Sequence, residues 1–227
     1  QDVYKQIDET AQTNGGLKSC ANVTFSDSLG NFPNTVTIDY GTGCAGTDGR
    51  TRTGVITAVF NGPWRDTTTT VTTTFTNYTV DGYVVEGTVD VANVGTGPRG
   101  YLRYEVAINN GRLTYPDGNT SQVSGTTVYD FAEGASTTFA SNGITGIEDD
   151  VYHIGGTLNG VNRNGTPYTA EITEYLIRDL SCKWINQGVI NLTPQNGDTR
   201  TVDFGDGTCD DKASFSFGSF SLNFTLP

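Results

Sequence analysis

DDVYHIGGTLNGVNRNGTPYTAEIT, residues 149–173, carries the pattern that decides the fold. Tyr152, Ile154 and Leu158 alternate with Val151, His153 and Thr157; beyond Asn164-Gly165, Tyr168, Ala170 and Ile172 alternate with Thr169, Glu171 and Thr173. A period of two belongs to a strand with one face on a core and the other in water. Asn-Gly is a hairpin dipeptide, because glycine takes positive φ freely and asparagine tolerates it. The stretch therefore reads as strand, tight turn, antiparallel strand.

The same pattern extends outward. Tyr83, Val85, Val89 and Val91 face one way, and Glu86, Thr88 and Asp90 the other. Leu102, Tyr104, Val106 and Ile108 alternate with Arg103, Glu105 and Ala107. Asp81-Gly82, Asn110-Gly111 and Asp117-Gly118 supply further turns. No helical period survives beyond two turns. The expectation is one all-β domain over residues 19–227, with about 12 to 14 antiparallel strands in a long meander. The meander is expected to curl into a sandwich or open barrel. Residues 1–18 are polar, end in Gly-Gly and read as a flexible arm or linker. Phe215, Phe217, Phe220, Leu222 and Phe224 make a terminal hairpin too apolar to stand free, so the C-terminus is expected to be docked.

The two ends of the meander resemble each other, as internal repeats at 19–60 and 181–224. Cys20 answers Cys182, Asp39-Tyr40-Gly41 answers Asp203-Phe204-Gly205, Cys44 answers Cys209, and Gly54–Phe60 answers Gly218–Phe224. Four cysteines allow three pairings, and the repeat favours Cys20–Cys44 with Cys182–Cys209. Each closes a short loop worth about 3 kcal/mol in the chain-entropy model. Zinc is the rival reading, but no CxxC occurs and the single histidine is remote. Disulfides place the chain in an oxidising, extracellular or outer-surface compartment. A start at Gln1 with no methionine anywhere fits a chain whose signal peptide has been removed.

Composition narrows the function classes. A chain of 227 residues buries a real core, built here from few but large side chains, with 11 Phe and 11 Tyr. A net charge of −12 argues against nucleic acid and anionic lipid surfaces. No apolar run approaches the ~20 residues of a membrane helix.

Little chemistry is legible. His153 lies at an outward position of its strand and reads as a plain surface histidine, so a Ser-His-Asp or Cys-His site has no base. No GxSxG elbow, P-loop or dinucleotide fingerprint occurs. Paired carboxylates on facing strands would suffice for a glycosidase, with Glu86, Glu105, Glu171 and Glu174 as candidates. In DFGDGTCDD, Asp203, Asp206, Asp210 and Asp211 offer the hard oxygens that calcium takes. The alternative there is a tight turn held by the disulfide and Asx hydrogen bonds. Trp64, in NGPWRD, and Trp184 are candidates for stacking on sugar rings, or else pack in the core. Residues 67–79 hold nine threonines, an exposed or edge strand or else a ladder matching a repeating lattice such as ice or a glycan. Residues 132–150 lack alternation and read as a surface loop. Asn22, Asn77, Asn119, Asn164, Asn191 and Asn223 head N-x-[ST] sequons.

Several segments resemble a group of secreted or surface-anchored β-rich proteins of the Bacteroidota, many described as lipoproteins. They are TVTIDYGTGCAGTDGRTRTG (35–54), FTNYTVDGYVVEGTVDVAN (75–93), VAINNGRLTYPDGNT (106–120), DDVYHIGGTLNGVNRNGTPYTAEIT (149–173), LSCKWINQGVI (180–190) and VDFGDGTCDDKA (202–213). The resemblance covers roughly residues 19–226. It implies export and a place at the outer surface, and carries over no catalytic residue. Members keep a lipidated cysteine near their start, whereas Cys20 here lies within the repeat, which favours release or assembly outside the cell. It also implies O-glycans at Asp-[Ser/Thr] triplets, matched by Asp27-Ser28-Leu29 and Asp66-Thr67-Thr68, with Ser28 and Thr67 as acceptors.

The reading is a non-enzymatic extracellular structural or adhesive protein that self-associates or binds cell-surface components, as in a fibre subunit. No cofactor is expected except calcium at the acidic turn. The alternatives are a monomeric carbohydrate- or ligand-binding module and a carboxylate-based glycoside hydrolase.

Overall fold

The computed structural model describes residues 20–28, 30–46, 49–137 and 148–226. Residues 1–18, read as an arm, lie outside them, as do 138–147 of the expected loop. The described elements are all strands: β1 (Asn22–Phe25), β2 (Asn34–Asp39), β3 (Cys44–Ala45), β4 (Thr51–Phe60), β5 (Thr70–Val80), β6 (Tyr83–Thr96), β7 (Leu102–Thr114), β8 (Thr120–Glu133), β9 (Val151–Val161), β10 (Pro167–Asp179), β11 (Gln187–Pro194), β12 (Arg200–Asp206), β13 (Lys212–Phe217) and β14 (Phe220–Thr225). The all-β antiparallel meander expected from the alternation is present. Strands pair in chain order from β1 to β14, with the short β3 set aside on β4. The sheet does not close into a barrel, and the segments read as disulfide-bearing repeats stand at the two ends of this order.

The chain divides into two compact units. The first takes residues up to Gly95 together with Ala107–Val123; the second takes Thr96–Val106 and everything from Ser124 onward.

In the first unit the register sorts side chains into inner and outer rows. Val36, Ala58, Thr73 and Val89 are paired in turn across β2, β4, β5 and β6, and Ile38 pairs with Ile56 and then Phe75. Val36, Ile38, Ile56, Ala58, Phe60 and Val71 are buried. One residue away on each strand the row is Thr24, Thr37, Thr57, Thr74 and Thr88, directly paired across β1, β2, β4, β5 and β6. None of these five is buried. Threonine suits this place because its branched carbon favours the extended backbone while its hydroxyl stays wet. The threonine-rich strand is thus exposed on one face, as read, but it is β5, hydrogen-bonded on both sides, and not an edge.

In the second unit Tyr104, Val106, Phe131, Tyr152, Ile154 and Leu176 are buried, with Phe131 stacked on Tyr152 at 4.6 Å between ring centroids. Toward the C-terminus the packing thins. Ile172, Ile190, Val202, Phe215 and Leu222 are paired in one row across β10 to β14. The first four are half-buried, and Leu222 is 53% exposed. The expectation of a docked C-terminal hairpin is not met: β14 pairs with β13, but Phe217, Phe220 and Leu222 stay exposed, and among the described residues no strand covers its outer edge.

The two repeat segments agree in part. Asp39 Oδ1 accepts from the Gly41 amide and Asp203 Oδ1 from the Gly205 amide, each at 2.8 Å, so the two segments share a local hydrogen bond, at the end of β2 in one and within β12 in the other. The alignment of Gly54–Phe60 with Gly218–Phe224 fails, because it equates strands with different partners. Gly54–Phe60 lies in β4, which pairs with β2, whereas Phe220–Phe224 lies in β14, which pairs with β13 and not with β12.

The inner and outer rows predict opposite responses to truncation. Ile56→Ala, at a position with 0% exposure, is expected to cost about 2–5 kcal/mol in urea unfolding. Thr74→Ala, on the outer row, is expected to stay within about 0.5 kcal/mol of the parent.

Candidate functional site

Both expected disulfides are formed, with Cα–Cα distances of 5.6 Å for Cys20–Cys44 and 5.7 Å for Cys182–Cys209. In the acidic turn, Asp203, Asp206 and Asp210 each accept a hydrogen bond from the amide two residues on, those of Gly205, Thr208 and Lys212. Asp210 also meets the Lys212 ammonium at 3.3 Å. Hydrogen bonds from Thr208 hold the Asp206 carboxyl below the usual carboxylate range. With one oxygen of each committed to its own turn, these carboxylates form an Asx-turn series. Among the described residues no group of three or more His, Cys, Asp or Glu is arranged to hold a metal ion; Asp211 adds no partner to such a group.

Other candidates scatter. The Trp64 ring is half-buried and packs edge-on against Phe60 at 6.4 Å, the packing alternative to sugar stacking. Trp184 is half-buried with the Lys183 ammonium 4.9 Å over its ring. Ser28 and Thr67 are exposed, and Asp27 accepts from the Ser28 amide at 2.6 Å. Leu29, the third residue of the first glycan triplet, lies outside the described residues. Glu86 pairs loosely with Arg112 at 3.8 Å, while Glu105 and Glu171 are exposed. Of the four glycosidase candidates, Glu174 lines a cleft among the described residues.

That site is in the second unit, and a β-bulge builds it. Along β9 and β10, Ile172 pairs with Gly156 and Leu176 with Ile154, leaving Thr173, Glu174 and Tyr175 opposite Gly155 alone. Surplus residues in one strand buckle it and re-aim its side chains. Thr173, Glu174 and Tyr175 accordingly break the alternation and are all exposed. Both neighbouring strands make room with glycine. A Cβ on Gly155 would lie 2.8 Å from Tyr175 Cε1, and one on Gly188 would lie 2.7 Å from Leu176 Cα.

The bulge opens a cleft of about 490 Å³ lined by Arg99, Glu133, His153, Glu174, Tyr175 and Gln187, among others. The Arg99 guanidinium sits 4.5 Å from the Tyr175 ring centroid and 5.3 Å from that of Tyr101. The His153 ring lies 5.8 Å from Tyr101 and 6.3 Å from Tyr175. Arg103 grips the fully buried Asp130 through two hydrogen bonds of 2.6 and 2.8 Å, a charge pair largely shielded from water.

His153 is consequently not a plain surface histidine. It is half-buried between two tyrosines, and its Nδ1 is covered with no hydrogen-bond partner. Burial and the nearby Arg99 hold its imidazole below the ordinary value, against the opposing pull of Asp130 and Glu133. Sequence reasoning missed this cluster because Arg99, Glu133, His153 and Tyr175 come from separate segments. The available signals were Gly155-Gly156 and Gly188 inside strand patterns, which mark bulges or close backbone approach.

The chain matches no family model, no curated protein and no solved structure. No helix among the described residues is long and apolar enough to cross a membrane.

The depressed His153 pKa fixes the sign of a pH effect. The folded state resists a proton that the unfolded chain accepts near pH ~6.5, so stability is lost as pH falls through and below that value. Melting temperature is expected to fall more steeply between pH ~7.5 and ~5.5 for the parent than for His153→Phe, which keeps a ring and cannot titrate. Identical slopes would show that His153 is not the group responsible.

Proposed function

We propose that this chain is a non-enzymatic extracellular structural or adhesive protein that assembles with further copies of itself through its C-terminal strands. One observation carries the reading: the apolar row of β10 to β14 ends on an edge strand with Phe220 56% and Leu222 53% exposed. Natural edge strands are blunted by charge, proline or a covering segment. β14, FSLNFT, contains neither a charge nor a proline. Among the described residues no strand pairs with its outer edge, so its backbone groups there can accept another strand, and its apolar side chains gain from burial against one. A second copy is the partner of choice, because it presents the same apolar face and the same free edge. The two disulfides and the resemblance to exported Bacteroidota proteins support the extracellular setting.

Light scattering on size-exclusion fractions, with negative-stain microscopy, tests the proposal. Dimers or larger regular assemblies are expected from the parent. Leu222→Lys and Phe220→Lys are expected to give monomers with an unchanged strand signal in circular dichroism. Ser221→Lys, on the other face of the same strand, is expected to assemble if the apolar side chains drive contact. A parent that stays monomeric at high micromolar concentration would overturn the reading.

A further inference from the structure

The cleft in the second unit has no part in assembly through β14, and its chemistry is distinctive. Three acidic residues, Glu133, Glu174 and Asp179, share it with a single arginine. That balance opposes an anionic ligand. It is equally unsuited to a divalent cation, because the Arg99 guanidinium stands among the acids with its charge turned over two tyrosine rings. Among the described residues Arg99 forms no ion pair, and its guanidinium lies over the Tyr101 and Tyr175 rings. Gln187 adds an amide that both donates and accepts.

A ligand matching these groups donates to carboxylates and accepts from a guanidinium and an amide. Vicinal hydroxyls on a pyranose ring do both, since each hydroxyl donates once and accepts twice. Tyr175, 40% exposed with the Arg99 guanidinium over its ring, borders the same cleft. A volume of about 490 Å³ falls in the range of small-ligand sites.

The wall is also pre-organised, which lowers the entropy cost of binding. Gly155 and Gly188 admit the bulge that turns Glu174 and Tyr175 outward together. The same unit holds the Arg103–Asp130 pair, with Asp130 fully buried. A bulge gives up regular ladder pairing, and here three consecutive exposed side chains are what it provides. We propose that this cleft binds a neutral sugar unit of a glycan, with Glu174 and Arg99 as its principal polar contacts. This gives the protein a recognition site separate from its assembly edge.

Isothermal titration of the full chain tests it, with a panel of neutral oligosaccharides built on glucose, galactose, mannose and N-acetylglucosamine, and uronate oligosaccharides for comparison. Binding of at least one neutral member is expected. Glu174→Gln and Arg99→Met are each expected to weaken it about tenfold or more, the loss of one charged hydrogen bond. Glu171→Gln, on the same strand but outside the cleft, is expected to bind as the parent does. Melting temperature and light scattering on each variant separate loss of binding from loss of fold or of assembly. No binding of any neutral member at millimolar concentration, binding of uronates alone, or neutral binding that survives both cleft substitutions would overturn the proposal. Failure here leaves the assembly reading intact, since that is read from particle size.

Discussion

Cross-strand register is the constraint on which the rest of this structure depends. Side chains alternate with a period of two, so a slip of one residue would exchange the faces of a whole strand. In the first unit a slip between β4 and its neighbours would put Thr57 where Ile56 is and expose an aliphatic row. The correct register places Ile38 beside Ile56 and Thr37 beside Thr57, so every strand agrees with its neighbour about which face is dry. Such agreement between local pattern and pairing is what lets a long meander find a single arrangement.

Register shifts interrupt the pairing in both units, and two irregularities in the second unit underlie the proposals made above. At Thr173–Tyr175 the strand is swollen, glycine on either side admits the swelling, and a cleft of mixed charge follows. From Ile172 to Leu222 the apolar row continues but its cover does not, and burial gives way to exposure at the last strand. Uncovered apolar surface on an unpaired edge is unfavourable for an isolated molecule and useful for one that associates. The two departures use different physics. One is a set of charged and polar groups lining a cleft, and the other is backbone and apolar surface awaiting a partner.

Glycine and aspartate carry much of the local geometry. Asp39, Asp203, Asp206 and Asp210 each fold an amide two residues ahead onto a carboxylate oxygen, which accounts for the acidic turn without an ion. The single histidine owes its environment to Tyr101 and Tyr175, distant from it in sequence. Trp64, the most conspicuous aromatic in the sequence, proves to be packed on Phe60.

By itself the sequence determined strand identity, antiparallel order and the hairpins at Asp81-Gly82, Asp117-Gly118 and Asn164-Gly165, and it favoured the two disulfide pairings that form. These are encoded locally, in alternation at Tyr152–Leu158, in the turn dipeptides, and in cysteines set in similar contexts. Asn110-Gly111, read as a further turn, instead lies inside β7, and the terminal hairpin expected to be docked leaves Phe220 and Leu222 exposed. Only the tertiary structure decided which rows align across strands, that β5 is interior, that Gly54–Phe60 and Gly218–Phe224 occupy strands with different partners, and that His153 belongs to a cleft. The physical reason is range. A strand's pattern specifies its two faces, whereas a site assembled from Arg99, Glu133, His153 and Glu174 depends on bulges and register accumulated over several strands, and no local periodicity records these.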